Sequence, residues 1–185
     1  GDVGSARPPP QEIRPWVFSV PCSGKAAARL RRSRHHRHPP APGGVGYDAR
    51  LLDTLLNHHA QLGALYQQMA DEARTGISAE VHRLLTSFKT SLQSHVLTEN
   101  VRFYTYLEKA LSSDSDNAAT MHEFRREMNG IARQVVDFTN SWSNADLGIP
   151  ELRERFLAEH AAVGKRLEQR LNSEETSLYP LYQPG

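Results

Sequence analysis

Cysteine is nearly absent from this sequence, since its 185 residues include only Cys22. One cysteine cannot form an internal disulfide, and it cannot supply the several thiolates of a structural zinc or iron–sulfur centre. No apolar run approaches the roughly 20 residues that span a bilayer. The short apolar stretch 16–20 lies between two prolines and is too short for the core of a signal peptide. These absences predict a protein of the reducing cytoplasm that has no membrane partner.

The charges and prolines are distributed unevenly along the chain. Residues 1–46 contain eight Lys and Arg, two Asp and Glu, and eight of the 11 prolines, whereas residues 47–185 carry a net charge of −5. Because proline removes a backbone donor, the first segment is predicted to be a disordered basic tail rich in Pro, Arg and His. A nucleic-acid contact, a loose metal-binding tract and an extension foreign to the native protein are further interpretations of this tail. No folded nucleic-acid module accompanies its charge.

From residue 47 onward, apolar residues recur every three or four positions, which is typical of amphipathic helices. Four such runs are separated by Gly76, by the polar turn 112–117 and by the segment 147–150. Pro150 suits the first turn of a helix, and Pro180 is expected to end the last run. No alternating β pattern of useful length is present. The sequence therefore predicts an all-α fold, an up-down-up-down four-helix bundle over residues 47–183.

Several polar residues lie on or beside the apolar seams of these helices. A buried carboxylate or imidazole without a partner is costly, so its presence there needs a reason. His95 and Glu99 are four residues apart and project from one helix face. Counting residues away from each turn, at an equal rise per residue, places further polar residues at the same level. The predicted metal-ligand set is His59, His95, Glu99, His122 and Glu174.

Three other residues are secondary candidates for metal ligands. His58 adjoins His59, but His59 is preferred because Leu62 continues its face. His160 is about 21 Å from Glu174 along a helix, so a structural histidine is the favoured interpretation. Glu175 is expected to face solvent.

These motifs, taken in order, resemble the hemerythrin-like family of HHE cation-binding domains over about residues 47–183. The family pattern places a histidine on helix one, His-x-x-x-Glu on helix two, a histidine on helix three, and His-x-x-x-Glu-Glu-x-x-Leu-Tyr/Phe-Pro on helix four. Here the last motif occurs at positions 170–180, from Arg170 to Pro180. The resemblance implies non-haem iron, either di-iron or mononuclear. His59, His95 and His122 would be terminal ligands, and Glu99 and Glu174 would bridge two irons.

The resemblance also implies a function. We expect a protein that carries or senses O2, NO or oxidative stress through iron and is not an enzyme. An oxidoreductase or hydrolase is a further interpretation, in which iron with Tyr66 or Tyr104 would support redox chemistry, but no Gly-rich phosphate loop or nucleophile elbow is present. No protein partner can be named from the sequence.

One position departs from the family pattern, because Arg170 replaces the histidine of helix four. Arginine keeps its charge and does not ligate metal. It is expected to pair with Glu99 or Glu174 and to take the place of one metal ion's charge. The alternative function is therefore a degenerate bundle with an impaired or lost metal site that acts as a regulatory or protein-interaction module.

Overall fold

The computed structural model describes residues 45–185, and all regular elements within them are helical. The predicted all-α four-helix architecture is confirmed. Of the basic tail predicted for residues 1–46, all but the last two residues lie outside the described part of the chain. None of the described helices is both long and apolar enough to cross a bilayer. The α-helices are α1 (Leu51–Thr75), α2 (Ser78–Thr98), α3 (Thr105–Ala110), α4 (Ser115–Trp142) and α5 (Pro150–Ser173).

Two of the four rods of the bundle contain more than one helix type. A π-helical turn, Glu99–Tyr104, joins α2 to α3 without a break. A second π-helical turn, Glu174–Leu178, continues α5 and is followed by a 3₁₀ turn, Tyr179–Leu181. The sequence predicted long helices here but gave no sign of the π-helical turns.

The helix ends follow from local residue chemistry. Gly76 ends α1 in the left-handed region at φ 77°, a conformation that glycine adopts without steric cost. The side chain of Asp114 accepts a hydrogen bond from the backbone N–H of Asn117 and so caps α4. Pro150 occupies the first turn of α5, where its missing N–H leaves no bond unmade.

Each long helix packs against two others, so that α1 and α4 both contact α2 and α5. The buried apolar residues form two separate clusters, one with Leu62, Leu92 and Leu171, the other with Leu55 and Phe103 among its members. Between these clusters lies a set of buried polar residues, which we call the polar layer. Its members are His59, His95, Glu99, Arg170 and Glu174.

His160 does not belong to the polar layer. Its Nε2 lies 2.8 Å from the backbone oxygen of Tyr66, and the Tyr66 hydroxyl donates to the backbone oxygen of His160. The two rings stack with centroids 3.8 Å apart. Burial lowers the pKa of His160 to about 4, so the ring is neutral. This histidine therefore fastens α5 to α1 and is not brought to the candidate ligands.

Gly164 provides the space that the Tyr66 ring occupies, which leads to a first prediction. A Cβ at position 164 would lie 2.5 Å from Tyr66 Cε1, and the stacked, hydrogen-bonded ring has no room to retreat. We expect Gly164→Ala to lower the free energy of unfolding by about 1–3 kcal/mol, as overpacking commonly does. Denaturant unfolding measures this change.

Gly130→Ala is the matched control, because a Cβ at position 130 of α4 would meet nothing within 4 Å. An alanine in an exposed helix interior is worth up to about 1 kcal/mol over glycine, so this variant should be as stable as the parent or more so. Equal stability of Gly164→Ala and the parent protein would contradict the packing argument.

Candidate metal centre

Three buried side chains converge in the polar layer from three different rods of the bundle. They are His59 of α1, His95 of α2 and Glu174 at the end of α5, and one ligand atom of each lies within 4.8 Å of the other two. His59 Nε2 is 3.3 Å from Glu174 Oε2, and His95 Nε2 is 3.9 Å from the same oxygen. All three side chains are fully buried. Glu174 Oε2 is therefore the point that both imidazoles face.

Glu99 extends this group on the side of α2. Its Oε2 lies 3.7 Å from His95 Nε2, while its Oε1 accepts a hydrogen bond from the Tyr179 hydroxyl at 3.0 Å. The Tyr179 oxygen is also 3.0 Å from His59 Nε2. Tyr179 was absent from the predicted site residues, although it belongs to the motif on which the resemblance rests. Its hydroxyl links the ligand candidates of two helices.

The two π-helical turns begin at Glu99 and at Glu174. Such turns are rare and occur frequently at functional sites, because the extra residue shifts the positions that follow to a new angle. After Glu99, the consecutive residues Phe103 and Tyr104 are both buried, and after Glu174 so are Leu178 and Tyr179. The second π-helical turn leads directly to Tyr179, whose hydroxyl reaches the site.

Several buried polar atoms of the polar layer lack a hydrogen-bond partner among the described residues. They include His95 Nε2, Glu99 Oε2 and Glu174 Oε2. Leaving such a group unsatisfied costs roughly 1–3 kcal/mol. The two carboxylate oxygens lie 3.7 Å and 3.9 Å from His95 Nε2, and imidazole nitrogen with carboxylate oxygen is a common donor set for iron or zinc. The residues present therefore fit a bound cation, which would satisfy His95 Nε2 and Glu174 Oε2 together.

His59 is held from its outer side by Glu175. Glu175 Oε1 lies 2.7 Å from His59 Nδ1, and its side chain is only 19% exposed. The expectation that Glu175 faces solvent is therefore wrong, because its carboxylate lies against His59 of α1. A carboxylate on one imidazole nitrogen orients the other nitrogen toward a metal and makes it a stronger ligand. Glu175 is placed to support His59 rather than to bind the cation.

The charges of the polar layer are strongly coupled. Burial lowers the pKa of His59, but the nearby carboxylates of Glu174 and Glu175 outweigh this effect and raise the pKa to about 9. Burial lowers the pKa of His95. Burial and the nearby Glu174 carboxylate raise the pKa of Glu99. His59 thus carries a proton at neutral pH, which a bound cation would have to replace.

Arg170 contributes a permanent positive charge at the edge of this group. Its Nε donates to Glu174 Oε1 at 2.9 Å, and its Nη1 donates to Glu127 Oε2 at 3.0 Å. Its Nη2 donates to the backbone oxygen of Phe124, and the guanidinium lies over the Phe124 ring. Of the two partners left open by the sequence, the structure selects Glu174. Arg170 occupies one Glu174 oxygen and leaves the other facing the imidazoles.

Two predicted histidines are placed differently from the others. His122 is exposed, because the neighbouring Met121 and the later Met128 define the buried face of α4. The structure does not bring it to the cluster. His58 is half-buried, and its ring lies edge-on to that of His95 with centroids 5.8 Å apart. Of the two neighbouring histidines, His59 is the one that is fully buried.

Comparison with known proteins agrees with this geometry. Residues 50–182 match the model of the hemerythrin HHE cation-binding domain. No curated protein and no solved structure matches the chain significantly. The match covers all four long helices and every residue of the polar layer. The chain therefore belongs to the hemerythrin HHE cation-binding domain family, and its His/Glu cluster is a candidate cation site.

Proposed function

We propose that this protein binds a single non-haem iron ion in the polar layer and uses it to sense or carry O2 or NO, with a response to oxidative stress as a related role. The observation that carries the proposal is the convergence of His59, His95 and Glu174 on one point. Two imidazoles and one carboxylate form the donor set typical of non-haem Fe(II) proteins that react with oxygen. Glu99 Oε2 has no hydrogen-bond partner among the described residues and lies 3.7 Å from His95 Nε2, so it is the next candidate donor.

The number of ions follows from the charges. A second ion would need further ligands, but Arg170 stands at the position of the family's fourth-helix histidine and His122 is exposed. The Arg170 guanidinium already neutralises Glu174 Oε1. We therefore propose one iron per chain, with Arg170 taking the electrostatic role of a second.

The protein's own residues shape how such an ion would be used. His59 and His95 would hold it from two helices, Glu175 orients His59, and Tyr179 presents a hydroxyl at the Glu99 side of the site. Bound iron would supply a position for O2 or NO and a change of redox state. The surrounding apolar clusters exclude bulk water from this position. We propose binding and sensing rather than catalytic turnover.

Elemental analysis and NO titration test the proposal together. Protein loaded anaerobically with Fe(II) should contain about one iron per chain, as set by the three-residue donor set. Addition of NO should then produce a ferrous–NO signal in electron paramagnetic resonance, and His95→Ala should lose both iron and signal. Protein that stays iron-free after loading would refute the iron site. Protein that binds iron but gives no NO signal would refute the gas-sensing part.

The raised pKa of His59 leads to a second prediction, on pH. Because the pKa of His59 is about 9 and a metal must displace its Nε2 proton, apparent affinity for Zn²⁺ should rise between pH 7 and 9. Because one proton is released, the apparent affinity should rise roughly tenfold per pH unit and level off above pH 9. Chelator competition at several pH values measures this pH dependence of the Zn²⁺ affinity.

Glu175→Gln is the control for this pH dependence. It removes one of the hydrogen bonds that raise the pKa of His59, so the rise in affinity should level off at a lower pH. An affinity that is independent of pH from 7 to 9 in the parent protein would contradict the assignment of the displaced proton.

A second candidate function is a metal-free regulatory or protein-interaction bundle. The contacts of Arg170 with Glu174, Glu127 and the Phe124 backbone favour it, because they partly satisfy the polar layer without any ion. In this case Glu99→Ala would change stability or partner binding with no dependence on metal. Loss of metal binding in that variant would exclude this candidate.

A further inference from the structure

An unbroken series of aromatic rings runs from the polar layer to the surface. The His59 ring stacks on Tyr179 with centroids 5.5 Å apart, and Tyr179 lies 5.3 Å from Phe103. Phe103 stacks on Tyr182 at 5.4 Å, and Tyr182 stacks on Tyr47 at 5.0 Å. We call Tyr179, Phe103, Tyr182 and Tyr47 the aromatic path. Every neighbouring pair in it is in ring contact.

The aromatic path joins a sealed site to solvent. Its inner members are buried, with Phe103 at 0%, Tyr182 at 2% and Tyr179 at 3% exposure, whereas Tyr47 is 43% exposed. All six tyrosines of the sequence lie within residues 45–185, and Tyr47 is the only exposed one. A protein partner cannot touch the buried His59 and Glu174, but it can touch Tyr47.

Two of the three hydroxyl groups of the path, those of Tyr179 and Tyr182, are held by hydrogen bonds. The Tyr182 oxygen accepts a hydrogen bond from the Asp48 N–H at 2.9 Å, and the Tyr179 hydroxyl donates to Glu99. Phenylalanine or aliphatic side chains would be enough for apolar packing, whereas three of the four rings of the path are phenols. Tyrosine phenols can give up one electron together with a proton, which phenylalanine and leucine do not do readily.

We infer that the aromatic path conducts single electrons between the polar layer and a one-electron redox partner at Tyr47. Its inner end rests on the proposed function, which places a redox-active metal at His59. When an oxidant takes an electron from the Tyr47 phenol, the phenol proton passes to water. Tyr182 then supplies an electron to the Tyr47 radical, which regains a proton from water, while the Tyr182 proton leaves to water.

Phe103 and Tyr179 bridge the last part of the path as packed rings. The Tyr182 radical takes up an electron through these rings and regains its proton from water; a reduced metal at His59 would be the electron donor. The oxidant is thereby reduced by one electron, and the path itself gains and loses no proton overall. The same contacts carry an electron inward when the partner is a reductant.

The outer half of the path is tested in metal-free, full-length protein. The background carries Trp16→Phe, Cys22→Ser and Tyr106→Phe, which remove other oxidisable side chains, including the Tyr106 ring that contacts Tyr47. A photogenerated ruthenium(III) polypyridyl complex serves as the oxidant. If the radical moves to the buried Tyr182, adding Tyr182→Phe should trap it on Tyr47 and raise intermolecular dityrosine severalfold. An unchanged dityrosine yield would overturn the inference.

The inner half is tested with the same flash oxidation of Fe(II)-loaded protein, following ferric absorbance. Tyr182→Phe and Phe103→Leu should lose the fast phase of iron oxidation while keeping the iron content of the background protein. Tyr66→Phe is the matched control, because this buried tyrosine contacts Phe88 and His160 outside the path and should keep the fast phase. A fast phase that persists in both path variants would overturn the inference.

These two arms separate the inference from the proposed function. A protein that binds no iron would refute the proposed function, while the dityrosine measurement would still decide whether an electron passes from Tyr182 to Tyr47. A protein that binds iron and NO but shows neither effect would refute the path alone.

Discussion

Replacing Glu174 by alanine is expected to abolish metal binding and to destabilise the metal-free bundle. Glu174 Oε2 is the atom that both imidazoles face, and Glu174 Oε1 accepts the hydrogen bond from Arg170. Without this carboxylate, the buried Arg170 and the protonated His59 each lose their closest buried counter-charge. Breaking a buried ion pair from one side costs about 3–5 kcal/mol.

Elemental analysis after iron loading and denaturant unfolding of the metal-free protein measure the two effects. Glu154→Ala is the matched control, because Glu154 is an exposed residue of the same helix α5. That control should keep both the metal content and the stability of the parent. A Glu174→Ala variant that still holds one ion per chain would show that the cation lies elsewhere.

Replacing Arg170 by histidine is expected to increase the metal content of the protein from about one ion per chain to two, as the charge balance of the polar layer implies. The substitution removes a permanent cation and supplies a neutral imidazole four residues before Glu174, on the same face of the helix. Glu99 and Glu174 would then lose the permanent positive charge of Arg170, which favours a second cation near them.

Arg170→Gln separates the two effects of this substitution, because it removes the charge without adding a metal ligand. It should bind one ion more tightly than the parent protein but not two. Its metal-free form should be less stable by about 3–5 kcal/mol, since Glu174 loses a buried partner. One ion per chain in both Arg170 variants would contradict the view that Arg170 replaces a metal.

The helical seams show how far the sequence alone could go. Leu55, His59 and Leu62 repeat at three and four positions, which sets the buried face of α1 whatever the partner helix is. Counting residues from Gly76 placed His59 and His95 at one level, and their ring centroids lie 4.8 Å apart. Such counts succeed because the helices between the turns are regular.

The same counting failed for residues whose rotation about the helix axis, rather than their height along it, determines whether they face the site. His122 lies near the expected level, but successive residues of a helix are about 100° apart, so burial of Met121 turns it to solvent. Glu175 and Tyr179 contact the polar layer at a π-helical turn, where the regular spacing used for the count does not apply. No local residue pattern predicts that turn.

The sequence by itself determined the helices, their ends and the residue types available for a metal site, because these depend on short-range periodicity and backbone chemistry. Only the tertiary structure decided that Arg170 pairs with Glu174 rather than Glu99. It also decided that Glu175 supports His59 and that the tyrosines of distant segments stack into one path. These outcomes depend on the rotation and spacing of helices against one another, which side-chain packing across the whole bundle fixes.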